Sequence, residues 1–252
     1  MTRAANDNTV AHTATIHLGD CFAIMPTLPK VDLVITSPPY CDIGMEYGDN
    51  FEGIDNYVEF SRRWIKAAAD TLSDDGAMWI NVGHYKASKW SRIPLTYYLF
   101  PLFAELGLTM VQEVVWDRRR HLATTTRFST RSERWVWLVK NPKKYTFHLD
   151  EVRVPTRQID KRNNPLGANP SDVWEFAPVQ TAQHPCAFPM AMIERIVMAC
   201  SDEGQLVLDP FGGSGTTAIA ALKHNRCAIL IERDAGYFAI CEERIIGRKA
   251  AA

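Results

Sequence analysis

"VLDPFGGSGTTAIAALKHNRCAILIERD", residues 207–234, packs a strand, a turn, a helix and a second strand into one short run. An apolar stretch ends at Asp209, Gly212, Gly213 and Gly215 crowd the turn, and a helical pattern opens near Thr216. The next apolar stretch ends in Glu232. Glycine lets a backbone approach a ligand closely, and a helix N-terminus presents free N–H groups to an anion. An acid that closes the following strand is placed to accept both hydroxyls of a ribose. A glycine turn alone says little, because any tight strand-to-helix turn favours glycine. Turn, helix, strand and acid in this order point to a nucleoside-type cofactor. The GxGxxG spacing of dinucleotide sites and the GxxxxGK[ST] phosphate loop are both absent.

Working outward, further strands are expected at Ala14–Leu18, Val31–Ile35, Ala77–Val82, Leu108–Trp116 and Arg134–Lys140. Helical patterns lie at Asp20–Thr27, Asn56–Leu72, Pro94–Leu106, Pro189–Ala199 and Ala235–Ile245. Alternating strands and helices imply an α/β fold with a mostly parallel sheet covered on both faces. Continuously apolar runs such as Val31–Ile35 agree with burial on both sides. No helical pattern separates Leu108–Trp116 from Arg134–Lys140, so an antiparallel pair is expected at one edge. Residues 141–188, rich in Pro, Asn and Arg, read as a long functional surface segment.

The chain has 252 residues, enough for one large core. Residues 1–12 read as a disordered tail and 13–247 as a single domain. No apolar run approaches a membrane span and no signal-peptide pattern opens the chain, which favours the cytoplasm. Cysteines 21, 41, 186, 200, 227 and 241 form no CxxC pair and no metal-ligand spacing, so no metal is expected. Net charge is −1, yet residues 117–162 hold 13 Lys/Arg against 5 Asp/Glu. Residues 41–59 hold six acids and no Lys or Arg. A molecule polarised in this way can dock its basic flank on a phosphate backbone.

The second informative stretch is "TSPPYCDIG", residues 36–44, directly after an apolar strand. Two consecutive prolines fix φ, remove two N–H donors and end the strand. What remains is a stiff turn with bare carbonyl oxygens, a serine hydroxyl and a tyrosine ring, suited to a planar group that bears an amino function.

Asp-Pro-Phe-Gly-Gly-Ser-Gly-Thr-Thr (209–217) and Ser-Pro-Pro-Tyr (37–40) together resemble the family that methylates exocyclic amino groups of DNA bases. The resemblance covers roughly residues 14–246. Its motifs stand in the circularly permuted β-class order, with the cofactor loop after the SPPY box. It implies a Rossmann-like S-adenosylmethionine-dependent methyltransferase fold, with a mostly parallel seven-stranded sheet and an antiparallel edge strand. By the same resemblance, Asp209, Phe211, Gly213, Gly215 and Thr216 hold the cofactor and Glu232 binds its ribose. "HLGDCFAIM" points to Asp20 and Cys21 beside the adenine, and "QHPCAFPMAMIERIV" to His184, Pro185 and Phe188 at the methionine end. "NPSDVWEF" is a further family segment anchored by Asn169 and Trp174. After the third strand the family usually shows an acid, where "NVGHYKASKW" has His84, so Asn81 and His84 receive no role.

The catalytic set implied is Ser37, Pro38, Pro39 and Tyr40. Ser37 Oγ and the Pro38 carbonyl accept from a substrate amine while Tyr40 stacks on the base, which must be flipped out of duplex DNA. Ser at the first box position marks N4-cytosine rather than N6-adenine methylation in this family. N6-adenine methylation is the alternative, and a non-catalytic DNA-binding protein that retains the cofactor site is the rival of a different class. Pro185-Cys186 resembles the nucleophile of cytosine-C5 enzymes, but lies in the cofactor-side box. DNA contacts are expected from Arg118, Arg119, Arg120 and Arg127, with target recognition within 117–133 and 145–183. The acidic 41–59 stretch reads as a lid. Dimerisation is common in the group, and a cognate restriction endonuclease acting on the same site is the implied partner. DNA binding would keep the protein at the nucleoid.

Overall fold

The computed structural model describes residues 12–44, 50–119, 124–156, 164–179 and 187–249. Residues 1–11 of the expected tail lie outside them. The chain runs β1 (Ala14–Leu18), α1 (Cys21–Ile24), β2 (Val31–Thr36), α2 (Ile54–Thr71) and β3 (Leu72–Val82). A small hairpin of β4 (His84–Tyr85) and β5 (Ile93–Pro94) precedes α3 (Thr96–Glu105). Then come β6 (Thr109–Asp117), β7 (Ser132–Val139), β8 (Val173–Glu175) and α4 (Met190–Cys200). The glycine-turn unit forms β9 (Leu206–Asp209), α5 (Thr216–Lys223) and β10 (Cys227–Glu232), and α6 (Ala235–Lys249) closes the fold.

One large sheet has the order β1-β10-β9-β2-β3-β7-β6-β8. All seven expected strands are present, but the sheet has eight: β8 pairs in parallel with β6 and forms the edge. The antiparallel strand is β7, which lies between β3 and β6 rather than at the edge. Three residues of β8 carry too little pattern to be read as a strand. Its place is set by Trp174, which is buried and stacks on Trp79 at 5.6 Å between ring centroids. Arg195 lies over the rings of Trp174 and Phe176, and the Trp116 indole donates to the Phe176 carbonyl at 2.8 Å.

Alternating side chains divide the core between the two faces. Leu33, Ile35, Trp79, Val207 and Leu230 pack against α4 and α5 on one side. Val34, Met78, Ile80, Leu208 and Ile231 pack against α1, α2 and α3 on the other. Both faces are therefore dry, and the central strands are apolar at nearly every position.

From β2 the chain winds through α2 to β3 in one direction, and from β9 through α5 to β10 in the other. The strands β2 and β9 are direct parallel neighbours, with Leu33 opposite Val207 and Val34 opposite Leu208. A sheet whose winding reverses between two adjacent strands opens a crevice beyond their carboxyl ends. The proline turn and the glycine turn leave from these two ends.

Replacing Trp174 with Ala removes the anchor of β8 and leaves a cavity over Trp79. Urea unfolding should show a loss of about 3 kcal/mol, the scale of large aromatic truncations in cores.

Candidate active site

A cavity of about 980 Å³ occupies this crevice, lined from both turns. Ser37, Pro38, Pro39 and Tyr40 form one wall, and Phe211, Gly213, Thr216 and Glu232 another. Asp20, Cys21 and Phe188 also line it. Ligand cavities run to roughly 1,000 Å³, so this one can hold a nucleoside-sized group beside a second planar ring.

The crevice is clamped at its floor by Asp209. Its Oδ1 accepts from the Thr36 hydroxyl at 2.7 Å and the Phe211 N–H at 3.1 Å, and its Oδ2 from the Thr217 hydroxyl at 2.7 Å. The side chain is buried, and burial pushes its carboxyl up from 3.8 to about 7, against three hydrogen bonds that favour the charged form. Asp209 reaches the cavity, but its oxygens are engaged in joining β2, β9 and α5. Its geometric task is to hold the two turns together.

Glu232 is arranged differently. Oε2 accepts the Gly213 N–H and Oε1 the Asp234 N–H, both at 2.8 Å. Each carboxylate oxygen keeps acceptor capacity toward the cavity. Asp20 caps α1 through the Phe22 N–H at 2.8 Å and lines the cavity as well. Burial, then Asp20, pushes the Cys21 thiol up to about 12, so it stays protonated and behaves as an apolar wall. Phe211 is held edge-on to Trp64 at 5.5 Å, and Phe188 packs on Trp135 at 5.0 Å. Gly215 is not part of the cavity wall. It has φ +77°, and a Cβ there would meet Cys241 Sγ at 2.6 Å, so it packs the turn against α6.

On the opposite wall, the Tyr40 hydroxyl meets Asn81 Oδ1 at 2.5 Å and Glu133 Oε2 at 3.1 Å, and accepts from Ser37 Oγ at 3.2 Å. Asn81 is fully buried and donates its amide to the Arg134 carbonyl, which turns Oδ1 toward the tyrosine. Burial, then the charge of Glu133, holds the Tyr40 phenol well above its usual range. Burial also raises Glu133, offset mainly by Arg118, whose Nη1 donates to Oε1 at 2.7 Å. The tyrosine ring sits against Gly83, where a Cβ would lie 2.9 Å from Cε2. Asn81, Gly83 and Glu133 were not singled out by the sequence. β3 and β7 bring Asn81 opposite Trp135, one pair from the chain end of β3, and only this register exposes the trio to the proline turn.

Of the expected DNA contacts, Arg118 lines the cavity but is paired with Glu133, and Arg119 is paired with Glu175. Arg127 is exposed and away from the cavity wall. Arg120, His184, Pro185 and Cys186 lie outside the described residues. Asp42, in the stretch read as a lid, accepts the Phe51 and Gly53 N–H groups at 2.7 and 3.0 Å. Among the described residues no helix is long and apolar enough to cross a membrane.

This fold and crevice define an S-adenosylmethionine-dependent methyltransferase. The DNA methylase family of N6 and N4 enzymes matches residues 31–243, and the chain belongs to it. It is 36% identical over 249 residues to the Type II methyltransferase M.ScaI of Streptomyces caespitosus, covering 91% of this chain and 80% of that protein. It is 35% identical over 223 residues to the Type II methyltransferase M.HpaI of Haemophilus parainfluenzae, covering 86% and 68%. Among solved structures, the M1.HpyAVI complex with S-adenosylmethionine superposes with TM-score 0.65 at 25% identity, covering 92% of this chain and all of that one. The PvuII methyltransferase described as cytosine-N4-specific shares the fold with TM-score 0.75 at 19% identity, covering 92% and 86%. The residues fit the cofactor: free acceptor sites on Glu232 suit a ribose, and Phe211 offers an apolar ring face.

The Asp209 clamp has a pH signature. Its folded-state value lies above the unfolded one, so the fold binds this proton more tightly and the group's contribution to stability falls as pH rises from about 4 to 7. Asp209→Asn keeps the shape without the charge. The stability of the Asn variant relative to wild type should improve across that window by at most a few kcal/mol, at about 1.4 kcal/mol per pH unit. Urea unfolding over a pH series measures this, and parallel curves would refute the clamp's titration.

Proposed function

We propose that this DNA methyltransferase acts on the exocyclic N4 of cytosine in a flipped-out base. The observation that carries the reading is that Ser37 Oγ and the Pro38–Pro39 turn share one cavity with the glycine turn and Glu232. The amine of a nucleobase is a poor nucleophile, because its lone pair is delocalised into the ring. Two acceptors on its N–H groups can turn that lone pair out of conjugation and take up positive charge as it develops. In this reading Ser37 Oγ accepts one N–H and the Pro38 carbonyl the other. The Ser37 hydroxyl proton is directed to Tyr40, so its lone pairs remain for the substrate. The Tyr40 proton is shared between Asn81 and Glu133, which strengthens the chain toward the serine. The ring of Tyr40, fixed at its hydroxyl and against Gly83, offers a face for the base worth about 1–3 kcal/mol. The bound cofactor supplies an electrophilic methyl, and the residues here orient the amine and disperse its charge.

The family matched covers both N6-adenine and N4-cytosine chemistry, and the serine of SPPY favours cytosine. Asp20, Phe188, Phe211, Gly213, Thr216 and Glu232 are proposed as cofactor contacts, with Asp209 and Gly215 shaping the turn. The Type II relatives favour a modification enzyme that acts at a defined site alongside a cognate endonuclease.

Incubation with labelled cofactor and mixed-sequence DNA, followed by digestion to nucleosides, should place the label on N4-methylcytosine. Label on N6-methyladenine would overturn the cytosine reading. Ser37→Ala should lower kcat by about 100- to 1,000-fold, the scale of losing one preorganised hydrogen-bonding group. Cys186→Ala should leave transfer intact, and the reverse pattern would indicate cytosine-C5 chemistry.

A further inference from the structure

Part of the charge in the arginine-rich 118–131 stretch is offset by carboxylates of its own strands. Arg118 pairs with Glu133, Arg119 with Glu175, and Arg131 with Asp117. Three of the guanidinium groups of that segment are thus already matched by carboxylates. The β4–β5 hairpin and its loop, by contrast, read His84-Tyr85-Lys86-Ala87-Ser88-Lys89-Trp90-Ser91-Arg92-Ile93-Pro94, with three cations and no acid. His84, Lys86 and Arg92 line the same cavity as Ser37. No carboxylate among the described residues lies within ion-pair distance of Lys86, Lys89 or Arg92. Arg92 Nη1 is buried from solvent and has no hydrogen-bond partner, an arrangement that costs free energy unless an acceptor arrives. Trp90 is 71% exposed, with the Lys89 ammonium 4.8 Å from its ring centroid.

We propose that the β4–β5 hairpin is the phosphate clamp of this enzyme: Lys86, Lys89 and Arg92 bind the DNA backbone beside the extruded base, and Trp90 packs on the adjoining nucleotide. The proposal rests on the DNA methyltransferase reading and names the surface that holds the strand. Unmatched cations beside an uncharged indole face are what a polyanion of stacked rings requires, whereas Arg118, Arg119 and Arg131 must first leave a carboxylate. The hairpin is rooted where it can act: its first strand directly follows β3, which carries Asn81, and the Gly83 carbonyl accepts from the Leu95 N–H at 3.0 Å.

Binding of a 30-base-pair mixed-sequence duplex, measured by fluorescence anisotropy over a salt series, tests this without turnover. Each phosphate contact contributes about 0.9 to the slope of log K against log salt. Lys86→Gln/Lys89→Gln, both on exposed positions, should lower the slope by about 2 and weaken binding at least tenfold in low salt. Trp90→Ala should weaken binding with the slope unchanged. Arg118→Gln/Arg119→Gln should change the slope by less than the hairpin pair. S-adenosylhomocysteine binding by calorimetry should be unaltered in the hairpin variants, which shows an intact fold. An unchanged slope in the Lys86/Lys89 variant, or a larger loss in the Arg118/Arg119 variant, overturns the proposal. Absence of any DNA binding by the wild-type protein would overturn the functional reading instead.

Discussion

The structure depends on one buried carboxylate at the point where the sheet reverses its winding. Two neighbouring parallel strands end there, and their chains diverge to opposite faces, so nothing in the sheet ladder holds the two departing turns together. Asp209 supplies that connection: Thr36 on β2, the Phe211 N–H in the glycine turn and Thr217 on α5 all donate to it. An apolar residue would leave three donors without acceptors in a dry interior, at a cost of about 1–3 kcal/mol each. The carboxylate itself suffers from desolvation, which is why its affinity for a proton rises. A desolvated but hydrogen-bonded acid is the compromise that lets the proline and glycine turns line one cavity.

The same accounting of donors and acceptors explains the proline turn. Its two prolines cannot donate, so the turn is held by side chains instead. Tyr40 is tied to Asn81 and Glu133, and the Ser37 hydroxyl proton is directed to Tyr40. Rigid acceptors cost no reorganisation when charge develops, which is the basis of the role proposed for this turn. Gly83 allows the tyrosine ring to lie flat against the β3 end, because any Cβ there would occupy the ring's place.

Electrostatics divides along the same crevice. The β6–β7 connection contains many arginines, but the strands that carry them also carry Asp117, Glu133 and, through β8, Glu175. The Arg119–Glu175 pair is exposed on both sides and contributes little to stability, whereas Glu133 and Asp117 are largely buried partners; all three pairs offset charge locally. The hairpin after β3 has no such counter-charges. Counting Lys and Arg along the chain therefore does not tell which of these cations already have carboxylate partners.

The alternation of apolar strands with helices and the run from Val207 to Asp234 determined the α/β class, seven strands and six helices, because their patterns are local and long enough to be read. The SPPY and glycine turns were legible for the same reason: proline and glycine constrain the backbone wherever they stand. Three things needed the folded chain. The eighth strand rests on Trp174 meeting Trp79, a contact between residues far apart in sequence. The support of Tyr40 by Asn81 and Glu133 depends on strand register. Which arginines are free depends on which carboxylates fold beside them, and no linear pattern encodes that distance.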